Sequence, residues 1–272
     1  YIGSPNTLQS FTVFAGCCNY THNSYVGAEM RGTDRMFSAS VKQGRTKIIS
    51  EWGHGSMGFG FKAAQYGMPY AASKQLLGSD MLKYNPYVKE TIDPWSGKPA
   101  VLIPALHPDV VFIHCQQADK YGNGKIFGPA VNDIAEAFAS RKVILTCEEV
   151  VPELSLRFDS SNVVIPFMVV DAVVELPYGC LPGCCPGYYY WAREWWEWLM
   201  RIATRDQAAM QDFMDVWVYG CKDQYELMDK LSEFLGGSRY MDNLRRLQKA
   251  EEYLIEDIGI DFSYEQVVPK RD

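Results

Sequence analysis

The chain has 272 residues, 47 % of them hydrophobic and 22 % charged, with a formal net charge of -7. That size and balance suit one large α/β domain or two small ones and argue against a disordered or fibrous chain. No Lys/Arg block able to displace counterions from a nucleic-acid backbone occurs, and no apolar run approaches the roughly 18 to 20 residues that span a bilayer, so nucleic acid and membrane are not expected partners.

The opening residues Tyr1, Ile2, Gly3 and Ser4 have neither the basic flank nor the apolar core of a signal peptide, and the cytoplasm is the expected compartment. The chain starts without Met, as though inside an element, and reads as an N-terminally incomplete copy of a longer protein. Short β-branched runs then alternate with helical stretches, the pattern of a largely parallel sheet with helices on its faces. Strands are predicted at 47–50, 100–104, 110–114, 143–147 and 172–176, several apolar on both faces as buried parallel strands are. Between two of them a helix is predicted over 134–140, after Asn132 and Asp133 and with Arg141 and Lys142 at its partially negative end.

Beyond Pro186 the chain becomes helical. In a helix predicted over 188–202, Trp191, Trp195, Trp198 and Ile202 share one face, with Trp196 and Met200 opposite, so the helix should pack on two sides. This aromatic set reads as core or subunit contact and not as a membrane belt, because Arg193 and Arg201 are balanced by Glu194 and Glu197. Later, Tyr240, Leu244, Leu247 and Leu254 form a single apolar stripe, and Gly236-Gly237 separates that helix from the one before it. The expected organisation is an α/β domain over 1–186, an open mostly parallel sheet with flanking helices, and a helical extension over 187–272 that packs on the domain or on a partner.

Eight cysteines include the adjacent pairs Cys17-Cys18 and Cys184-Cys185 and no CxxC. They read as reduced, buried small hydrophobes, and no metal is expected.

Three segments place glycine and small polar residues beside strand ends, where open α/β sheets bind ligands. Glu51-Trp52-Gly53-His54-Gly55-Ser56-Met57-Gly58 follows the strand ending near Ser50; its glycines let backbone N–H groups approach a carboxylate or thioester oxygen, and Glu51 and His54 become candidates for acid/base or nucleophilic work. A glycine-rich turn bearing one His and one Glu is also common without function. Gln116 to Gly124 follows a buried strand; Asp119 can accept turn N–H groups, so a plain hairpin or tight loop is the structural alternative. Leu77-Gly78-Ser79-Asp80 is a polar turn that alone says little. Glu148 and Glu149 follow the strand predicted at 143–147 and point to opposite sides, and a solvated or salt-bridged acid is their ordinary reading. No Walker A loop, GxSxG elbow, HExxH or complete GxGxxG fingerprint is present.

Taken in order, Gly67-Met68-Pro69-Tyr70, Leu77-Gly78-Ser79-Asp80, the core Ala118-Asp119-x-x-Gly122-Asn123, Cys147-Glu148-Glu149-Val150, Val170-Asp171-Ala172 and Pro177-Tyr178-Gly179 give a chain that resembles the A-type chain of class I CoA-transferases, above all glutaconate CoA-transferase. The resemblance covers nearly the whole chain. It implies two similar α/β chains enclosing one active site. A glutamate there becomes an enzyme-CoA thioester and passes CoA to a second carboxylate; it usually belongs to the B-type partner. This chain would supply the facing wall: Glu51 as its catalytic candidate, and Gly53, His54, Gly55, Ser56, Gly78, Ser79, Gly122 and Asn123 as substrate-binding residues. The substrates implied are an acyl-CoA, dicarboxylate or aromatic-derived, with coenzyme A entering as a thioester and not as a permanently bound cofactor, and a carboxylic, by preference dicarboxylic, acid. Two departures stand out. The family's first strand and glycine turn are expected to be missing, and His54 stands where many relatives carry Gln. Ring-opening acyl-CoA hydrolases of the same fold are the first alternative, with Glu51 as their acid. A non-catalytic partner chain is the second.

Overall fold

A computed structural model describes residues 2–3, 7–27 and 32–249. Leu254 of the predicted stripe lies outside them, as do the side chains of Ile202 and Leu247. The chain forms two compact units, interleaved in sequence: 1–113 with 130–144 and 165–172, and 114–129 with 145–164 and 173–272.

The first unit opens with β1 (Ile2–Gly3), α1 (Thr7–Phe14), β2 (Tyr20–Asn23), α2 (Arg35–Lys42) and β3 (Lys47–Glu51). The three strands make a parallel sheet in the order β1-β2-β3. Asp34 starts α2 because its Oδ1 accepts the Phe37 N–H at 2.9 Å, an N-cap that satisfies one of the helix's orphan donors. Next come α3 (His54–Gln65), β4 (Tyr70–Ser73), α4 (Met81–Tyr84), β5 (Lys89–Ile92) and β6 (Pro99–Pro104). Here β6 is the centre of an antiparallel sheet in the order β4-β6-β5. Trp52, Met57, Phe61, Val101, Ile103 and Ala135 form the core between α3, the sheet and α5 (Asp133–Ala139). Close approach explains two glycines of α3. A Cβ on Gly60 would lie 2.7 Å from Leu106 Cγ, and one on Gly58 would lie 2.8 Å from Asn132 Oδ1, contacts that would force the neighbour to shift in a close-packed interior.

The remaining strands make a five-stranded sheet in the order β10-β8-β7-β9-β11. Its strands are β7 (Val111–Ala118), β8 (Gly124–Lys125), β9 (Val143–Val150), β10 (Val163–Ile165) and β11 (Ala172–Glu175), with α6 (Glu153–Phe158) between β9 and β10. Burial along β9 alternates, with Val143, Leu145 and Cys147 inside, the period of two that a pleated strand imposes. β7 runs four residues and β9 three residues past their expected ends. The cause in β7 is an antiparallel pairing of Gln117 with Lys125 and Ala118 with Gly124, so 119–123 is a hairpin turn.

The helical segment follows: α7 (Arg193–Trp198), α8 (Gln207–Phe213), α9 (Gln224–Phe234) and α10 (Ser238–Lys249). The helix expected from residue 188 begins five residues later because the preceding backbone has other partners. Cys185 pairs with Tyr189 as an antiparallel bridge, and the Tyr190 N–H donates to the Leu244 carbonyl at 2.8 Å. The same helix widens into a π-helical turn over Leu199–Ala203. Trp195, Trp198, Phe213, Trp217 and Phe234 stack with centroids 4.9 to 6.4 Å apart. Trp195 and Trp217 are buried, so the aromatic set is core of the second unit. Gly236 and Gly237, at φ +99° and +84°, break α9 from α10 in backbone that side chains disfavour. No helix among the described residues is long and apolar enough to cross a membrane.

Candidate active site

The segment from Glu51 to Gly58 is the end of β3 and the first turns of α3, where a glycine-rich loop was expected. Glu51 is exposed, and its carbonyl accepts from Asn85 Nδ2 at 2.9 Å. Gly53 is the N-cap of α3, with no side-chain cap hydrogen bond. Ser56 is buried and donates through Oγ to the Gly53 carbonyl at 2.8 Å. His54, exposed on the first turn, lies 3.2 Å from Ser24 Oγ through Nδ1 and 6.2 Å, ring to ring, from Tyr25.

The turn bearing Gly78 and Ser79 adjoins this helix start. A Cβ on Gly53 would meet Leu76 Cδ2 at 3.6 Å, and one on Gly55 would collide with the Gln75 side-chain amide. Gly78 has φ +78° and Ser79 Oγ donates to the Leu76 carbonyl at 2.8 Å. The first unit therefore brings Gly53, Gly55, Ser56 and the 75–79 turn into one neighbourhood, with Glu51 and His54 exposed beside it. Sequence reasoning missed Asn23, which pairs with Glu51 across the parallel ladder. Its amide is buried and has no hydrogen-bond partner among the described residues, an arrangement that costs stability unless something else satisfies it. A lone Asn at a strand end carries no pattern that would single it out.

Gly122 and Asn123 belong to the second unit, in the β7–β8 turn. Buried Asp119 organises that turn: Oδ1 accepts the N–H groups of Tyr121, Gly122 and Asn123 at 2.9, 2.9 and 3.0 Å, and Oδ2 accepts from Asn123 Nδ2 at 2.7 Å. Gly122 takes φ +105°. The Asp and the Gly thus make the turn, and Asn123 spends an amide donor on it.

The strand-end acids also fall in this unit, on opposite sides as expected. Glu149 is exposed and accepts from Tyr188 Oη at 3.0 Å. Glu148 is buried: Oε1 accepts from Tyr189 Oη at 2.5 Å and lies 2.9 Å from His114 Nε2, while Oε2 accepts the Tyr178 N–H at 2.6 Å. His114 Nδ1 lies 2.9 Å from Thr146 Oγ1. Cys180 and Cys185 complete the group, and the donor atoms of His114, Glu148, Cys180 and Cys185 all lie within 4.8 Å of one another. Burial works against a charged His114, but hydrogen bonds to Cys180 and Glu148 outweigh it and raise the imidazole to about 9. The hydrogen bond from Cys185, followed by that from His114, holds Cys180 down to about 5 against burial. Cys115 and Cys147 are buried, inert thiols whose ionisation burial pushes up, as expected of small hydrophobes; Cys17 and Cys184 are exposed. The four-residue cluster is invisible to spacing rules because its members come from β7, β9 and the 177–189 loop.

Residues 3–176 match the family model described as Coenzyme A transferase. An uncharacterized protein of Archaeoglobus fulgidus is 37 % identical over 239 residues, 88 % of this chain and 52 % of its own length. The A-type chain of the 3-oxoadipate CoA-transferase of Pseudomonas knackmussii is 29 % identical over 85 % of this chain and 81 % of its own. The crystal structure of glutaconate coenzyme A-transferase from Acidaminococcus fermentans superposes with a TM-score of 0.82 at 24 % identity, covering 92 % of this chain and 82 % of that one. The chain thus spans about half the length of the Archaeoglobus relative.

Proposed function

Because this chain belongs to the Coenzyme A transferase family, with the fold of glutaconate coenzyme A-transferase, we propose that it is the A-type chain of a class I CoA-transferase. It moves CoA between an acyl-CoA and a carboxylic acid, by preference a dicarboxylic one, together with a B-type partner. The partner's glutamate takes up CoA as a glutamyl thioester and then yields it to the acceptor acid. The observation that carries this reading is the start of α3: a helix N-terminus without a side-chain cap, beside the Gly78-Ser79 turn, with Glu51 exposed at the strand end before it. Such an N-terminus offers backbone donors and a positive dipole end to a carboxylate or thioester oxygen. Gly53, Gly55 and Ser56 hold the acyl group or acid from this side, His54 donates to it, and Glu51 serves as acid or base. In the second unit the substrate-binding element is the β7–β8 turn, with Gly122 and Asn123.

The test is co-purification with the partner, addition of acyl-CoA with and without an acceptor acid, and borohydride reduction of the complex. A reduced glutamate on the partner and acceptor-dependent CoA exchange support the transferase. The exposed position of Glu51 favours one second reading, a ring-opening acyl-CoA hydrolase that uses this acid. It requires release of free CoA without an acceptor.

A further inference from the structure

His114 on β7, Glu148 on β9 and the thiols of Cys180 and Cys185 on the loop after β11 converge in the second unit, and no step of the proposed reaction uses them. Glu148 and Cys185 are buried at 8 % and 1 % exposure, and the His114 side chain is 14 % exposed. These are four donor atoms of the kinds that bind zinc, one imidazole nitrogen, one carboxylate oxygen and two sulfurs, mutually within 4.8 Å. A tetrahedral zinc with bonds of about 2.0 to 2.3 Å sets its ligand atoms roughly 3.3 to 3.8 Å apart, so the widest pair of the cluster needs to contract by at most roughly 1 to 1.5 Å. We infer that His114, Glu148, Cys180 and Cys185 are the ligands of a closed, structural zinc site.

Two features of the surroundings favour a metal over a chance gathering of polar side chains. The first is outer support. Thr146 Oγ1 stands 2.9 Å from His114 Nδ1 and fixes the ring with Nε2 inward, while the Tyr178 N–H and Tyr189 hydroxyl hold the Glu148 carboxylate from behind. The hydrogen bond from the Cys180 N–H to Tyr189 Oη at 3.0 Å links the loop to the same set. Metal ligands are ordinarily held by such a shell of partners. The second is architecture. The loop from Pro177 to Ala192 contains little regular structure beyond the Cys185–Tyr189 bridge, and a metal would fasten it to β7 and β9. Binding forms two Zn–S bonds, one Zn–N bond and one Zn–O bond; the thiol protons, and any proton on Nε2, leave to solvent. No oxidant or reductant is involved.

The test is elemental analysis of the whole chain, produced with zinc in the growth medium and purified under reductant, followed by cobalt(II) titration of the chelator-treated protein. One zinc per chain is expected, with a thiolate-to-cobalt charge-transfer band and the intense visible bands of tetrahedral cobalt. Cys180→Ser and Cys185→Ser should each weaken zinc binding at least about tenfold and remove part of the charge-transfer band, whereas Cys17→Ser, in the other unit, changes neither. Should the two variants fail to fold, the stoichiometry and cobalt spectrum of the unaltered chain decide alone. Absence of zinc together with absence of a cobalt–thiolate band overturns the inference, as does retention of both in the Cys180→Ser, Cys185→Ser double variant. If zinc fails to bind but the Coenzyme A exchange persists, the inference falls and the proposed reaction stands without this site.

Discussion

Glu51 and Glu136 illustrate how surroundings decide what a carboxylate does. Glu51 is exposed at the end of β3, where it can meet a substrate, and Glu51→Gln should lower turnover of the partnered enzyme by roughly 10²-fold with the fold intact, measured as CoA exchange. Activity unchanged in Glu51→Ala and His54→Ala would instead support a non-catalytic chain. Glu136, on α5, is differently placed. Burial, then the nearby Asp133, raises its carboxyl from 4.5 to about 7. An acid whose folded value exceeds its unfolded one costs nothing while both states are protonated. The cost grows as pH rises from about 4.5 to about 7 and is constant above. Glu136→Gln should therefore leave stability unchanged near pH 4 and raise it by on the order of 3 kcal/mol near pH 8, as denaturant unfolding at both pH values would show. A gain of equal size at both would refute the assignment.

At the scale of elements, α3 carries both the candidate site and tight packing against its neighbours. Gly60→Ala forces a methyl against Leu106 and the Pro104 carbonyl, and overpacking of this kind should cost about 1 to 3 kcal/mol in unfolding experiments. Asp119 makes the β7–β8 turn, and Asp119→Ala strips an acceptor from three backbone N–H groups. Destabilisation of about 2 to 4 kcal/mol is the expected result, while Asn123→Ala, which removes the amide hydrogen bond to Asp119 Oδ2, should cost under about half of that.

The same elements explain what could be read from sequence. Strand β9 was legible because Val143, Leu145 and Cys147 alternate in a β-branched and apolar run, and α5 because its flanking polar and charged residues mark a helix. The start of α7 was not, because residues 185–190 are held by a bridge and by Leu244, which lies far along the chain. Nor was the helical character of 54–65, where Gly55, Gly58 and Gly60 argue against a helix by propensity. Close packing against Asn132 and Leu106, visible only in three dimensions, explains Gly58 and Gly60.

At the scale of the molecule, the family and the fold were legible from ordered motifs spread over nearly the whole chain, and the residues 3–176 that match the family model span both units. The candidate sites were legible only in part. Gly53, Gly55, Ser56 and the 75–79 turn do gather around the start of α3, because neighbours in a motif stay neighbours in the fold. Asn23 and the His114–Glu148–Cys180–Cys185 cluster escaped because their partners come together only through strand pairing and loop closure. If the proposed division of labour is right, this chain alone has no turnover, and activity appears on adding a B-type partner.

The most direct measurement is CoA exchange between an acyl-CoA and a second carboxylic acid in the co-purified complex, with borohydride trapping and peptide mapping of both chains. Exchange that requires the acceptor, and one reduced glutamate on the partner, is the predicted result. Free CoA appearing at the same rate without an acceptor, with no reduced glutamate on either chain, would contradict the transferase reading.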